Sequence, residues 1–188
     1  MVFKECKVFL VGDSKVGKTQ IKLRFCQGIF VENYNPTMED QMRKQVEVEG
    51  VQFLVVILDD HSSTTEFTAM SDQYYKNADG FIVVFSLDKE ESFENLYKYK
   101  EEILRHKDKD TFGDIPVVLC ANKSDLKFER KVDSYKCEKL STEWGVPYLE
   151  ISAKTNINIE NAFKDVLKQV INKVGVNLSS KRSQCVTI

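Results

Sequence analysis

The chain has 188 residues, 42% of them hydrophobic and 30% charged, which suits one soluble domain with a full core. A net charge of −2 gives no broad basic field, so nucleic acid is not an expected partner. No apolar run approaches a membrane span, and Met1-Val2-Phe3-Lys4-Glu5 carries neither a signal peptide nor a myristoylation glycine.

In chain order, "KVFLV" (Lys7–Val11) reads as a strand, followed by a glycine loop and a helix from about Lys18. "RKQVEVEG" (Arg43–Gly50) alternates in polarity, and Glu49-Gly50 offers a turn into "VQFLVVIL" (Val51–Leu58). Those two segments predict an antiparallel hairpin at a sheet edge. "FIVVFS" (Phe81–Ser86), "IPVVLCA" (Ile115–Ala121) and "PYLEIS" (Pro147–Ser152) read as further strands. The near-continuous apolar runs fit parallel strands covered on both faces. Ser92–His106 reads as a helix with a charged outer face. Ile159, Ala162, Phe163, Val166, Leu167, Val170, Ile171 and Val174 form one apolar helical stripe. The periodicity ends after Gly175, so residues 1–175 read as one domain and 176–188 as a solvated tail. The pattern predicts an α/β fold of about six strands, mostly parallel, with helices on both faces. Ligands of such sheets bind beyond the C-terminal strand ends. The five cysteines, Cys6, Cys26, Cys120, Cys137 and Cys185, are odd in number and lack metal spacing. They predict free thiols in a reducing cytosol.

"GDSKVGKT" (Gly12–Thr19) fits G-x-x-x-x-G-K-[ST] between a strand and a helix. In that setting the backbone N–H groups of Gly12, Asp13, Ser14, Lys15, Val16 and Gly17 converge on phosphate oxygens, and the helix N-terminus at Lys18, Thr19 and Gln20 adds partial positive charge. Lys18 is expected to bridge the outer phosphates, and the Thr19 hydroxyl to take Mg²⁺. "NKSD" (Asn122–Asp125) and "SAK" (Ser152–Lys154) follow later strands at the same end of the sheet.

With these three motifs in order, residues 4–174 resemble the Ras-like small GTPases, whose P-loop NTPase fold is then expected. The resemblance implies GTP or GDP as ligand, with Mg²⁺. An aspartate at Asp125 accepts two hydrogen bonds from guanine N1–H and its 2-amino group, a pair that adenine lacks. By resemblance, Asn122 braces base and loop, the Lys123 stem covers the ring, and the Ala153 N–H, between Ser152 and Lys154, reaches the guanine O6. "FVENYNPTMED" (Phe30–Asp40) resembles the first switch and effector segment. There Phe30 packs against the base, Tyr34 closes over the phosphates, and Thr37 meets both Mg²⁺ and the γ-phosphate. The following edge is expected to pair with effector proteins, the other reading being a charged, solvated edge strand.

The third strand departs from the family's Asp-x-x-Gly-Gln, in which aspartate holds Mg²⁺ through water and glutamine orients the attacking water. Counting on from Thr37 places these residues at Asp59, Ser62 and Ser63. Counting back from "EFTAMSDQYY" (Glu66–Tyr75) places them at Asp60, Ser63 and Thr64. The two counts differ by an insertion of one residue, and Asp59 is the better metal candidate because the hairpin has no room for a slip. Neither register supplies the glycine or the glutamine. Serine or threonine is too short to position water as a planar amide does. His61 is the nearby imidazole, either a general base or a solvent-exposed bystander. Ile29–Asp40 contains no arginine to act as a finger in cis. Ser14 and Lys15 replace two glycines of Ras proteins, and Lys15 either adds charge near the phosphates or points into solvent.

"CVTI" closes the chain and fits C-a-a-X, with Cys185 as the prenylated residue. Lys181 and Arg182 are the only bases near it in the tail, so membrane residence is expected to be weak and reversible. The sequence therefore predicts an atypical, monomeric Ras-subfamily switch on the cytoplasmic face of the plasma membrane or an endomembrane, with a cytosolic pool. Effectors, exchange factors and activators are the expected partners. Lys18 and Thr37 are the remaining catalytic candidates, with Ser63 or Thr64 in the glutamine's place, and hydrolysis is expected to be slow. Two alternatives stay open. One is a working GTPase with a non-glutamine or partner-supplied group, and the other a pseudo-GTPase interaction module without a nucleotide cycle.

Overall fold

A computed structural model describes residues 4–32, 41–59 and 68–174. Thus Tyr34, Thr37, Asp60, His61, Ser62, Ser63, Thr64 and Cys185, and most of the Phe30–Asp40 segment, lie outside the described residues.

Six strands form one sheet: β1 (Lys4–Val11), β2 (Gln41–Val48), β3 (Val51–Asp59), β4 (Gly80–Ser86), β5 (Val117–Asn122) and β6 (Tyr148–Glu150). Their order is β2-β3-β1-β4-β5-β6. Only β2 and β3 pair antiparallel, from Gln41↔Leu58 to Val48↔Val51. The other neighbours are parallel. The hairpin turn is at Glu49 and Gly50, both with positive φ. The fold is the α/β sheet that the sequence predicts.

Alternating side chains along β1 go to opposite cores. Cys6, Val8 and Leu10 join Ile21 and Phe25 of α1 (Lys18–Gln27) and the stripe of α6 (Ile159–Val174). Phe9 and Val11 join the other face. That face is covered by α2 (Thr68–Asn77), α4 (Leu96–Lys107) and α5 (Ser134–Trp144), through Tyr75, Leu96, Ile103, Leu140 and Trp144. β4 is buried at every position, which is why its sequence has no alternation. The four described cysteines are free thiols. Burial pushes Cys6 up to about 12 and Cys26 up to about 11, so neither presents a thiolate near neutral pH.

Most predicted strand ends shift by one to three residues, and one predicted helix divides. β1 begins at Lys4, earlier than Lys7, because its polar start pairs with Phe53 and Leu54 of β3. β6 ends at Glu150, two residues short of Ser152, which makes an isolated bridge with Ile157. The helix expected over Ser92–His106 is two pieces, α3 (Glu90–Glu94) and α4, on either side of Asn95. The Lys98 N–H bonds the Asn95 carbonyl three residues back, a tighter turn than the α-helical ladder.

The topology places the site. β1 lies between β3 and β4, so the chain leaving β1 enters the crevice where strand order reverses.

Candidate functional site: a cleft at the strand ends

The loop after β1 must pass close under its neighbours, and two glycines permit it. A Cβ at Gly12 would meet the Val84 carbonyl oxygen at 2.0 Å, and one at Gly17 would meet Asn122 Nδ2 at 2.4 Å. Gly17 also takes φ 97 as it caps α1. Lys15 adopts φ 65 with a side chain, so it keeps a conformation natural to glycine at a cost of about 1–2 kcal/mol. Lys15 is exposed and also lines the cleft.

Lys18 Nζ folds back across the loop and donates to the carbonyls of Gly12 at 2.7 Å and Asp13 at 2.8 Å. Its ammonium is therefore held directly over the convergent backbone. Thr19 Oγ1 donates to Asp59 Oδ2 at 2.9 Å. Asp59 closes β3 and is 2% exposed. Among the described residues it is the carboxylate bonded to Thr19.

A hydroxyl and a carboxylate are hard oxygen donors, the kind that Mg²⁺ takes. Among the described residues no group of three or more His, Cys, Asp or Glu is placed to hold a metal ion by itself. This pair therefore fits an ion that draws its remaining ligands from phosphate oxygens and water. Lys22 is the complication. Its Nζ lies 3.4 Å from Asp59 Oδ2, and both side chains are fully buried.

The base-side loops are tied to the phosphate loop and to each other. Asn122 Nδ2 donates to the Val16 carbonyl at 2.8 Å, while Asn122 Oδ1 accepts from the Ala153 N–H at 3.3 Å. Ser152 Oγ donates to Asp125 Oδ1 at 2.6 Å and accepts from the Thr155 N–H at 3.0 Å. Asp125 keeps acceptor capacity, since a carboxylate has about four lone-pair sites. Lys123, at φ 66, anchors its ammonium on Asp88 at 2.9 Å. Burial alone would raise the Asp88 carboxyl, but hydrogen bonds from Ser86 and Lys123 outweigh it and hold the group below its ordinary range.

The cleft is lined by Gly12, Ser14, Lys15, Gly17, Lys18, Thr19 and Gln20, by Phe30 and Asp59, and by Asn122, Lys123, Asp125, Ala153 and Lys154. Three predicted site residues have side chains elsewhere. Asp13 accepts from Asn95 Nδ2 and Tyr99 OH, both at 2.8 Å. Val16 is core, and Ser152 is buried behind Asp125. Gln20 borders the cleft, but its amide donates to the Val31 carbonyl at 2.8 Å and accepts from the Val31 N–H at 3.0 Å. That pair fixes the chain next to Phe30.

Sequence reasoning passes over Lys22, Arg24, Asp88, Asn95 and Tyr99. Arg24 donates to the carbonyls of Ala153 at 2.8 Å, Lys154 at 2.9 Å and Gly28 at 2.6 Å, which fastens α1 to the "SAK" loop. A signal for Lys22 is present in the spacing. It stands four residues after Lys18 and three after Thr19, on one helical face.

A glycine loop opening a helix, a hydroxyl–carboxylate pair and an Asn/Asp-lined pocket at the strand ends are the features of a nucleotide-binding P-loop protein. Residues 7–172 match the sequence model of the Ras family. The chain belongs to that family of small GTP-binding switches.

Proposed function

We propose that this protein is a guanine-nucleotide switch whose GTP state is long-lived because its own hydrolysis is slow. The observation that carries the reading is the convergence of Lys18, Thr19 and Asp59 with Asn122, Asp125 and Ala153 on one cleft. Asp125 selects guanine through the N1–H and 2-amino donors, and Asn122, which accepts the Ala153 N–H, ties the loop of that subsite to the Val16 carbonyl of the phosphate loop. Lys18 and the N-terminus of α1 take the phosphates.

Thr19 and Asp59 would hold Mg²⁺, joined by Thr37. When bound, the ion neutralises phosphate charge. This chain's residues bind and orient the nucleotide, but the water-positioning amide is missing in either register of residues 59–64. Ser63 or Thr64 in that place supports slow turnover, as does the lack of arginine between Ile29 and Asp40.

Output follows from the same reading. The Phe30–Asp40 segment and the edge strand β2 form the effector surface, with Arg43, Gln45 and Glu47 exposed along the strand. Prenylation of Cys185 places the domain weakly on the cytoplasmic face of a membrane. Among the described residues, no helix is long and apolar enough to cross one.

The decisive measurement is the identity of the nucleotide that co-purifies, followed by single-turnover hydrolysis. Bound GTP and slow turnover are expected. Bound GDP with fast unaided turnover would establish a working GTPase that positions water differently. An empty site that rejects added nucleotide would leave an interaction module.

A further inference from the structure

Lys22 is a lysine with 0% exposure on the helix that opens the phosphate loop. Lysine is almost never fully buried unless paired, and here the pairing is with the carboxylate that a metal would use. Asp59 Oδ2 receives the Thr19 hydroxyl at 2.9 Å and faces the Lys22 ammonium at 3.4 Å. Both charged side chains are enclosed by protein. The ammonium is thus a built-in part of the site, with no route to solvent in this conformation.

We propose that Lys22 is a resident cation of the nucleotide site, so that the protein retains guanine nucleotide with little dependence on Mg²⁺. The inference rests on the nucleotide-binding reading above. An isolated carboxylate attracts an incoming divalent ion. A carboxylate already paired with an ammonium presents nearly zero net charge, and the ammonium would itself repel a divalent ion held at that carboxylate. The metal's gain at Asp59 is therefore reduced. Lys18 and the N-terminus of α1 already concentrate positive charge on the side that receives phosphate, and Lys22 stands behind Asp59 rather than in the cleft lining. Lys22 acts through Asp59, which makes it a positioning residue.

The test uses the full chain loaded with a fluorescent GDP analogue. Release is timed in millimolar Mg²⁺ and again in excess EDTA, for the wild type, Lys22→Arg and Lys22→Met. Chelation is expected to speed release by less than about tenfold in the wild type and Lys22→Arg, tenfold being about 1.4 kcal/mol. In Lys22→Met, where Asp59 regains an uncompensated charge, the factor is expected to exceed tenfold. Acceleration of tenfold or more in the wild type overturns the proposal, as does an equal factor in the wild type and Lys22→Met. Should Lys22→Met not fold, a free-Mg²⁺ titration of wild-type release decides. A midpoint above about 1 mM supports the resident cation, and a lower one overturns it. Failure of the wild type to retain guanine nucleotide before any chelator is added is a separate result. It overturns the nucleotide-binding reading and this inference with it.

Discussion

At the base end of the cleft, hydrogen bonds of 2.6 to 3.3 Å join Ser152 to Asp125 and Asn122 to Ala153. At the metal end, Asp59 meets a fully buried ammonium at 3.4 Å. The first arrangement is a mesh in which each bond contributes about 0.5–1.5 kcal/mol net, and somewhat more where a charge takes part. The second concentrates its energy in one pair, whose desolvation rivals its attraction. The two ends should therefore fail differently. Damage at the base end should cost ligand affinity, and damage at the metal end should cost the fold.

The largest effect should come from splitting the buried pair. Asp59→Ala leaves Lys22 enclosed without this carboxylate and is expected to destabilise the protein by about 3–5 kcal/mol. The double variant Asp59→Leu/Lys22→Met should recover most of that loss, since apolar replacement of a whole buried pair is often neutral or better. Urea midpoints of the three proteins measure both. A double variant no more stable than Asp59→Ala would mean that the pair is not the seat of the energy.

Asp125→Ala should behave in the opposite way. Losing two hydrogen bonds to a charged acceptor should weaken GDP binding by about 3 kcal/mol or more, over a hundredfold in Kd. The nucleotide-free protein should lose less stability than Asp59→Ala does, about 1–3 kcal/mol, because the Ser152 hydroxyl loses this acceptor. Calorimetric titration beside unfolding curves separates the two quantities.

Arg24→Met lies between the ends. It removes the donors to the Ala153 and Lys154 carbonyls, for an expected loss of about 1–3 kcal/mol. GDP affinity should fall as well, since Ala153 and Lys154 line the cleft beside Asp125. A stability loss with unchanged affinity would show that the "SAK" loop keeps its shape without α1.

The smallest effect is acid sensitivity at Asp88. Its folded carboxyl lies below the ordinary value, so its contribution is fully present above the unfolded value near about pH 4. That contribution fades as pH falls through the lower folded value. Thermal midpoints should drop over that acid window in the wild type and drop less in Asp88→Asn, with the curves parallel near neutral pH. Asp88 and Lys123 are both partly exposed, so solvent screens the pair and the difference should be small.

These contrasts also explain what was legible in the sequence. Strands such as β4 and β5 announce themselves as unbroken apolar runs, and the loops after β1, β5 and β6 carry short motifs whose spacing fixes their chemistry. The hairpin likewise points to Asp59. Long-range partners were not legible. Asn95 interrupts a helical pattern, and its amide reaches Asp13, 82 positions away in sequence. Arg24 reads as a surface cation until α1 is seen against the "SAK" loop, 129 positions on. Lys22 looks like the polar face of an amphipathic helix. Only the packing of α1 against β3 turns that face inward.

Asn122 holds the Val16 carbonyl with one end of its amide and the Ala153 N–H with the other. The base subsite and the phosphate subsite are thus mechanically one piece. Guanosine and pyrophosphate, offered as separate fragments, should then bind with positive cooperativity, each lowering the ordering entropy left for the other. In Asn122→Ala the two fragments should bind as strangers.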